Sequence, residues 1–505
     1  MRLAILQNSK ETNPLFVVIS VFIGAILSTL FVRMFSLSLA DIRGIFGLDV
    51  QEGTWINVSL NAAQLISMTL TPWFMVVLGA EKILMSTSAV LLVSFLSFPL
   101  IGEGGDLFTA LVLIHFVIGF CLGVYLPMTI SLALRNLQQN VWLIVMAAYS
   151  LRVSLGMDAG VGISGSFIEI FGWQWMYWVC ACFACLIFIF AWKGMPLVGI
   201  NHDFLAQTDW GGMALKSVSL VLLYIGVVQG EMLGWYDSGL ITACLIASVA
   251  LFAIFIIRAF SFKQTFAHPS WLMNRNLFLC FVVSCLYGFL MLANSLFIPS
   301  FLITIGGLKP HQIGEVTNIA FISYLLFSPI AIWLARRVDS RLLMIIGVSI
   351  IGGASLLGMQ VDYQWRVDEF IPLMIMQSFG ECLVLIGLIA SFVVNIKPQD
   401  ALNLGAYISI ARVLMPAIAG ALMNTYLRIS FDEHFEAKRA FIQTGEQKLP
   451  TMDSVNMSLS LISREAHVSS FIDGFAITLI VVIIVLTLLM FIKPAPENNI
   501  VPGGK

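Results

Sequence analysis

Six ionisable side chains stand inside long apolar runs of this chain: Arg33, His115, Arg152, Asp158, Glu381 and Arg412. The stretch "TLFVRMFSLSLADI" (29–42) shows the pattern, with one arginine in an apolar run that extends from Leu15 to Leu39. A charge at the centre of a bilayer costs about 2.5 kcal/mol or more, so such groups face interior cavities and take partners there. Arginine stays charged and binds anions in a fork. Histidine titrates near neutral pH. A carboxyl group in a dry interior can gain and lose a proton. Together these residue types point to binding and moving ions rather than to making bonds.

Helix geometry gives each one a depth. Arg33 lies ~27 Å along a helix starting at residue 15, and Asp158 ~26 Å along one starting at residue 141. Glu381 lies ~16 Å from residue 370 and Arg412 ~15 Å from residue 402, both near the middle of a core ~30 Å thick. Two oppositely charged pairs are expected, Arg33 with Asp158 and Glu381 with Arg412. Arg33 has two further readings: it snorkels to the nearer surface, or it faces cargo directly. Helical side chains lean towards their own N-terminus, which for Arg33 is away from that surface. Arg152 lies ~17 Å up its helix and on another face from Asp158. His115 is read either as a proton carrier or as a hydrogen-bonded packing residue. Glu381 is the proton carrier favoured by chemistry.

The elements that must position these groups are membrane helices. The 505 residues are 59% hydrophobic and only 11% charged, against about 25% charged in soluble domains. Windows of about nineteen residues place spans near 15–39, 54–76, 83–101, 108–134, 141–166, 174–192, 213–230, 238–258, 277–300, 313–335, 342–359, 370–394, 402–427 and 469–493. The fold class is therefore all-α and polytopic, with about 14 transmembrane helices. With the N-terminus assigned to the cytoplasm, thirteen Lys and Arg residues fall on that side, Lys82, Arg135, Arg336 and Arg337 among them. Arg43, Lys309 and Arg366 are all that the short loops opposite retain. This bias puts both termini in the cytoplasm. The first apolar stretch is read as a retained span, because no small-residue cleavage site follows it.

Other chemistries lack their signatures. The eight cysteines lie in apolar runs, and Cys182 and Cys185 form an isolated CxxC, so neither a disulfide framework nor a metal site is expected. "GGLKP" (306–310) lacks P-loop spacing, and HExxH and GxSxG are absent. No basic cluster interleaved with aromatics suggests nucleic acid. The chain is read as a non-enzyme without cofactors. Residues 193–212 read as an inner linker. The stretch 428–468 reads as a long, solvated outer loop whose spacing allows a short amphipathic helix near 431–443.

Several motifs then carry a resemblance over nearly the whole chain. "EGTWINVSLNAAQLISMTLTPW" (52–73), "IHFVIGFCLGVYLP" (114–127), "GVGISG" (160–165) and "FGWQWMYWV" (171–179) occur in order, followed by "SPIAIWLARRVDSR" (328–341) and "LGAYISIARVLMPAIAG" (404–420). In this order and spacing they resemble the fourteen-helix drug:proton antiporter branch of the major facilitator superfamily (EmrB/QacA type). Within it they are similar to the inner-membrane exporters of tripartite systems. In the fifth-helix antiporter motif GPxxGG, Gly160, Gly162 and Gly165 match while Val161 replaces the proline. In the fourth-helix motif His115 replaces Arg and Ile118 replaces Gln. The loop motif after helix two has Val76 at its Asp position and keeps Lys82 of its basic run. The family's helix-one Asp aligns with Phe31, and Arg33 is new.

The resemblance implies two six-helix bundles plus two extra helices. The corresponding division is 1–192 as the N-terminal bundle, 193–260 as linker and extra pair, and 261–505 as the C-terminal bundle. It implies proton-coupled efflux of hydrophobic or amphipathic small molecules from an inner membrane. The implied partners are a small-molecule substrate, protons, a periplasmic membrane-fusion protein and an outer-membrane channel. Two alternatives stay open: a dedicated exporter of a siderophore or other anionic metabolite, and a permease-like sensor that transports nothing.

Overall fold

The computed structural model describes residues 13–100, 107–137, 141–160, 171–194, 199–206, 208–261, 273–395, 401–444 and 452–493. Six helices come first: α1 (Pro14–Phe46), α2 (Val50–Val77), α3 (Ala80–Ser97), α4 (Leu107–Asn136), α5 (Trp142–Ser154) and α6 (Trp173–Gly194). A pair follows, α7 (Trp210–Val228) and α8 (Gly239–Ser261). The last six are α9 (Arg275–Thr304), α10 (Pro310–Ala335), α11 (Ser340–Gly358), α12 (Val367–Asn395), α13 (Ala401–Thr444) and α14 (Met452–Met490).

Thirteen helices among the described residues are long and apolar enough to cross a membrane. The fifth expected span is described only to Gly160. There α5 runs on into a π turn at Leu155–Ala159. Gly162 and Gly165 lie outside the described residues. The multi-pass, all-helical fold read from the sequence is the fold observed.

Helix starts follow local chemistry. Asn13 Oδ1 accepts from the Leu15 amide at 3.2 Å, and Pro14 supplies a preset φ in the first turn of α1. α1 ends on Gly47 at φ 65°, the left-handed conformation that glycine adopts without strain. Asp49 and Glu52 cap α2 reciprocally, each side chain accepting from the other's amide, at 2.6 and 3.0 Å.

Packing builds two groups and a seam. α1, α3, α4 and α6 share a core of Phe31, Phe35, Phe95, Tyr125 and Tyr177. α2 crosses α4 where Gly119 and Gly123 face it; a Cβ at either would collide with the Leu60 or Gln64 backbone. Backbones approach this closely only through small residues. The later helices share cores around Leu343, Met344 and Leu383, and around Phe297, Phe301 and Phe370. Across the seam α2 and α4 touch α13, while α5 touches α10 and α12. α7 packs on α8, α2 and α13. Asp209 caps α7 through the Gly212 amide at 2.9 Å and holds Arg258 of α8 at 2.8 Å, which ties the pair together at its base.

One expectation is corrected. Within 428–468, α13 continues unbroken to Thr444 and α14 begins at Met452, so most of the expected loop is an antiparallel helical extension. The sequence from Phe431 to Thr444 contains no Gly or Pro, and Arg428 pairs with Asp432 one turn on. Ser430 Oγ donates to Asp473 Oδ2 at 2.7 Å, and His434 Nε2 lies 2.8 Å from the same oxygen. Lys438 Nζ donates to the Glu465 carbonyl at 2.8 Å. These bonds hold the two extended helices together.

Candidate functional site

A cavity of about 480 Å³ lies on the seam. Ser28 and Arg33 of α1, Asn57 and Gln64 of α2, and Arg152 of α5 line one side. Tyr287 and Met291 of α9, Leu385 of α12, and Arg412 and Asn424 of α13 line the other. Tyr224 and Val228 of α7 complete the wall. Towards the end at which α1 begins, Ala25, Leu126, Tyr149, Leu220 and Leu414 pack together in an apolar layer. From there the cavity extends towards the face that carries the α13–α14 extension, where Glu231 lies on its rim.

Three of the six expected residues, Arg33, Arg152 and Arg412, meet in this cavity. Arg152 donates to Tyr149 Oη at 3.0 Å and to Thr29 Oγ1. Its guanidinium also lies over the Tyr149 ring, 4.4 Å from the centroid. Nε of Arg33, Nε of Arg152 and Nη1 of Arg412 are buried without a hydrogen-bond partner. Among the lining residues Glu231 is the one carboxylate, and it is already engaged. It forms an ion pair with Arg428, and it accepts from Thr425 Oγ1 at 2.6 Å and Trp235 Nε1 at 3.1 Å. Burial opposes the charge on Glu231, but these three donors outweigh it and hold the carboxyl below the usual glutamate range. The cavity is therefore cationic inside, with a neutralised rim.

The two expected ion pairs are not formed. Arg33 reaches the depth of helix five, and a Cβ on Gly160 would sit 3.2 Å from its Cγ. Asp158, however, accepts from Ser154 Oγ at 2.5 Å on its own helix. Glu381 accepts from Gln377 Nε2 at 2.7 Å, again one turn away, and not from Arg412. These local i,i+4 bonds engage one oxygen of each carboxylate within its own helix. Asp158 and Glu381 instead line a second, much smaller void beside the first, shared with Asn294, Tyr287 and Tyr324.

His115 is elsewhere. It is fully buried, with Nδ1 2.8 Å from the Leu111 carbonyl and Nε2 3.0 Å from Tyr177 Oη. Its ring centroid lies 4.4 Å from that of Phe35. It packs inside the first group of helices and lines neither cavity.

Sequence reasoning missed two groups. Lys216 of α7 is 3% exposed, with Nζ 3.8 Å from the Tyr407 ring centroid and no hydrogen-bond partner. A lone lysine within "WGGMALKSVSLVLLYIGVV" was the available signal. Glu231, next to the end of α7, carried a weaker one.

The sequence profile described as Major Facilitator Superfamily matches residues 21–274, half of the chain. The chain belongs to the major facilitator superfamily. Its relatives include the fatty acid resistance protein FarB of Neisseria gonorrhoeae, 21% identical, with 81% of this chain and 80% of FarB covered. The multidrug export protein EmrB of Escherichia coli K12 is 22% identical, with 67% of this chain covered. The chain spans 63% of the EmrB length, just under two thirds. Solved structures of the superfamily share the fold. The human organic anion transporter MFSD10 superposes with a TM-score of 0.55 at 13% identity, over 94% of this chain and 100% of that one. A POT family transporter in complex with 5-aminolevulinic acid gives 0.61 at 15%, over 95% and 97%.

Proposed function

We propose that this chain is a secondary active exporter that takes an amphipathic small molecule into the seam cavity and releases it in exchange for protons. The observation that carries this is the 480 Å³ cavity between two groups of helices, apolar over much of its wall and furnished with three arginines. Residues 1–192 and 261–505 act as the rocking bundles, with 193–260 as the linker and extra pair. The Lys/Arg asymmetry supports cytoplasmic termini in an inner membrane. Glu381 is the proton carrier, because the helix-one position carries Phe31. A periplasmic membrane-fusion protein and an outer-membrane channel are the partners that likeness to EmrB suggests.

A second reading of the cargo has its own support. Three arginines without a free carboxylate opposite suit an anionic headgroup, and the printed name of FarB refers to fatty acids. The cargo is then an amphipathic anion. A sensor that moves nothing gains no support from a largely apolar cavity furnished with three arginines.

The test is efflux from proteoliposomes under an imposed pH gradient, with a fluorescent amphiphile and a fatty acid as separate cargoes. Gradient-dependent movement of either supports export. Binding without movement of either, at any gradient, overturns it.

A further inference from the structure

None of the three arginines lines the second void, although the charge of Arg33 reaches Asp158 from α1. The void holds about 10 Å³, roughly the room that one water-sized sphere needs, and shares Tyr287, Met291 and Leu385 with the wall of the larger cavity. Asp158 reaches it from α5 and Glu381 from α12, so the two carboxylates come from opposite sides of the seam. They are 5% and 7% exposed. Two carboxylates this dry repel unless one takes up a proton or a cation stands between them.

Two independent features point to a ligand rather than a shared packing defect. The first is Asn294, 3% exposed and lining the void. Its Nδ2 donates to Ser378 Oγ at 3.1 Å, while Oδ1 is buried without a partner. A buried amide oxygen left unpaired is costly. The second is the backbone. The membrane helices contain π turns at Leu155–Ala159 and Ala293–Phe297. One carries Asp158, the other Asn294 and Ser295, and the two turns touch each other. A π turn widens a helix locally and recurs at functional sites. Interrupted helices at the middle of a transporter also form its ion sites. Tyr287 and Tyr324 also line the void with buried phenol groups.

We propose that Asp158, Glu381 and Asn294 form a binding site for one dehydrated monovalent metal cation, held between the two bundles. The polar side chains at the void all offer oxygen, the donor that alkali cations prefer; imidazole and thiol are absent from its lining, and its one sulfur is the neutral thioether of Met291. The size admits one bare ion and excludes a hydrated one. The cation joins α5 to α9 and α12, so its arrival favours the conformation in which the seam is closed at this level. The proposal rests on the coupling role given above to Glu381, but it is independent of the cargo.

The experiment uses the purified full-length protein in detergent without cargo, at fixed pH and constant ionic strength. Thermal stability is titrated with NaCl, KCl and choline chloride, and binding of radioactive Na⁺ is measured in parallel. Saturable stabilisation by Na⁺ or K⁺ beyond choline is expected. Asn294→Ala should raise the half-saturating concentration about tenfold, and Asp158→Asn and Glu381→Gln should abolish the effect. If a variant folds poorly, Na⁺ binding to its folded fraction decides. Equal behaviour of the three salts and no Na⁺ binding overturn the proposal. Proton-driven efflux in sodium- and potassium-free buffer, together with that result, leaves the export reading standing. Cation binding without any efflux does the reverse.

Discussion

Arg152 of α5 and Arg412 of α13 share one aromatic ring. Their guanidinium carbons lie 4.4 and 5.8 Å from the centroid of Tyr149. Tyr149 thus gathers two like charges from opposite sides of the seam, at the apolar layer to which it belongs. The ring's negative face eases their repulsion. An anion arriving above it would be met by both.

Arg152→Gln and Arg412→Gln should each weaken an anionic amphiphile about tenfold, which corresponds to about 1.4 kcal/mol. A neutral amphiphile of equal size should change much less. Equilibrium binding in detergent tests this, and equal losses for both cargoes would show that the arginines only shape the wall.

Glu381→Gln should abolish efflux driven by a pH gradient while leaving cargo binding and folded yield intact. The side chains are isosteric, and the bond from Gln377 is compatible with either. Gradient-driven efflux at the normal rate by this variant removes Glu381 from the coupling step.

Arg33 and Asp158 agree in depth without touching. The losses of folded yield in Arg33→Leu and Asp158→Leu should therefore add in the double variant, with an interaction below about 1 kcal/mol. Recovery of folding in the double variant would reveal a direct pair. Arg33→Leu should still lower affinity for an anionic cargo, because its head lines the cavity.

Gly123→Val should prevent close approach of α2 and α4 and cost about 1–3 kcal/mol, the usual range for overpacking. A Cβ there meets the Gln64 backbone, which cannot move aside. A melting temperature like that of the parent would mean that the crossing is looser than described.

Glu231 predicts an acid-side effect. Its carboxyl is held below the usual glutamate value, so its bonds to Arg428 and Thr425 contribute in full above about pH 4.3. They are lost as pH falls from there through the lowered value. Melting in detergent between pH 7 and pH 3 should show this decline in the parent and less of it in Arg428→Gln. Identical profiles would mean that the rim pair contributes nothing to stability.

Depth was legible in the sequence, and direction was not. The rise of a helix is fixed, so the levels of Arg33 and helix five could be matched by counting. Which face each residue turns, and to whom, depends on how two groups of helices meet. No periodicity in the chain encodes the meeting of Asp158 with Glu381. Short side-chain bonds also intervened. Ser154 and Gln377 each stand one turn from a carboxylate and engage it locally, a possibility that reasoning over charges alone overlooks. His115 has its partners in Leu111 and Tyr177, the second of them 62 residues away. The helical extension beyond Phe431 was readable in principle, since its composition favours helix. Its spacing did suggest a short helix near 431–443, but its polarity concealed the continuity with the span before it, because long polar stretches between spans suggest loops.

α13 is one rod of 44 residues, about 66 Å long at the helical rise. Arg412 and Pro416 sit in its cavity-lining part, and 28 residues of it lie beyond Pro416. Proline removes one backbone bond and makes a natural pivot there. Over that arm of about 42 Å, a swing of about 5° displaces the free end by about 4 Å. Bonding to α14 stiffens the arm against bending. Small adjustments around a bound molecule would thus be geared up into a stroke at the tip, outside the bilayer, which turns the occupancy of a hidden chamber into mechanical displacement at the surface.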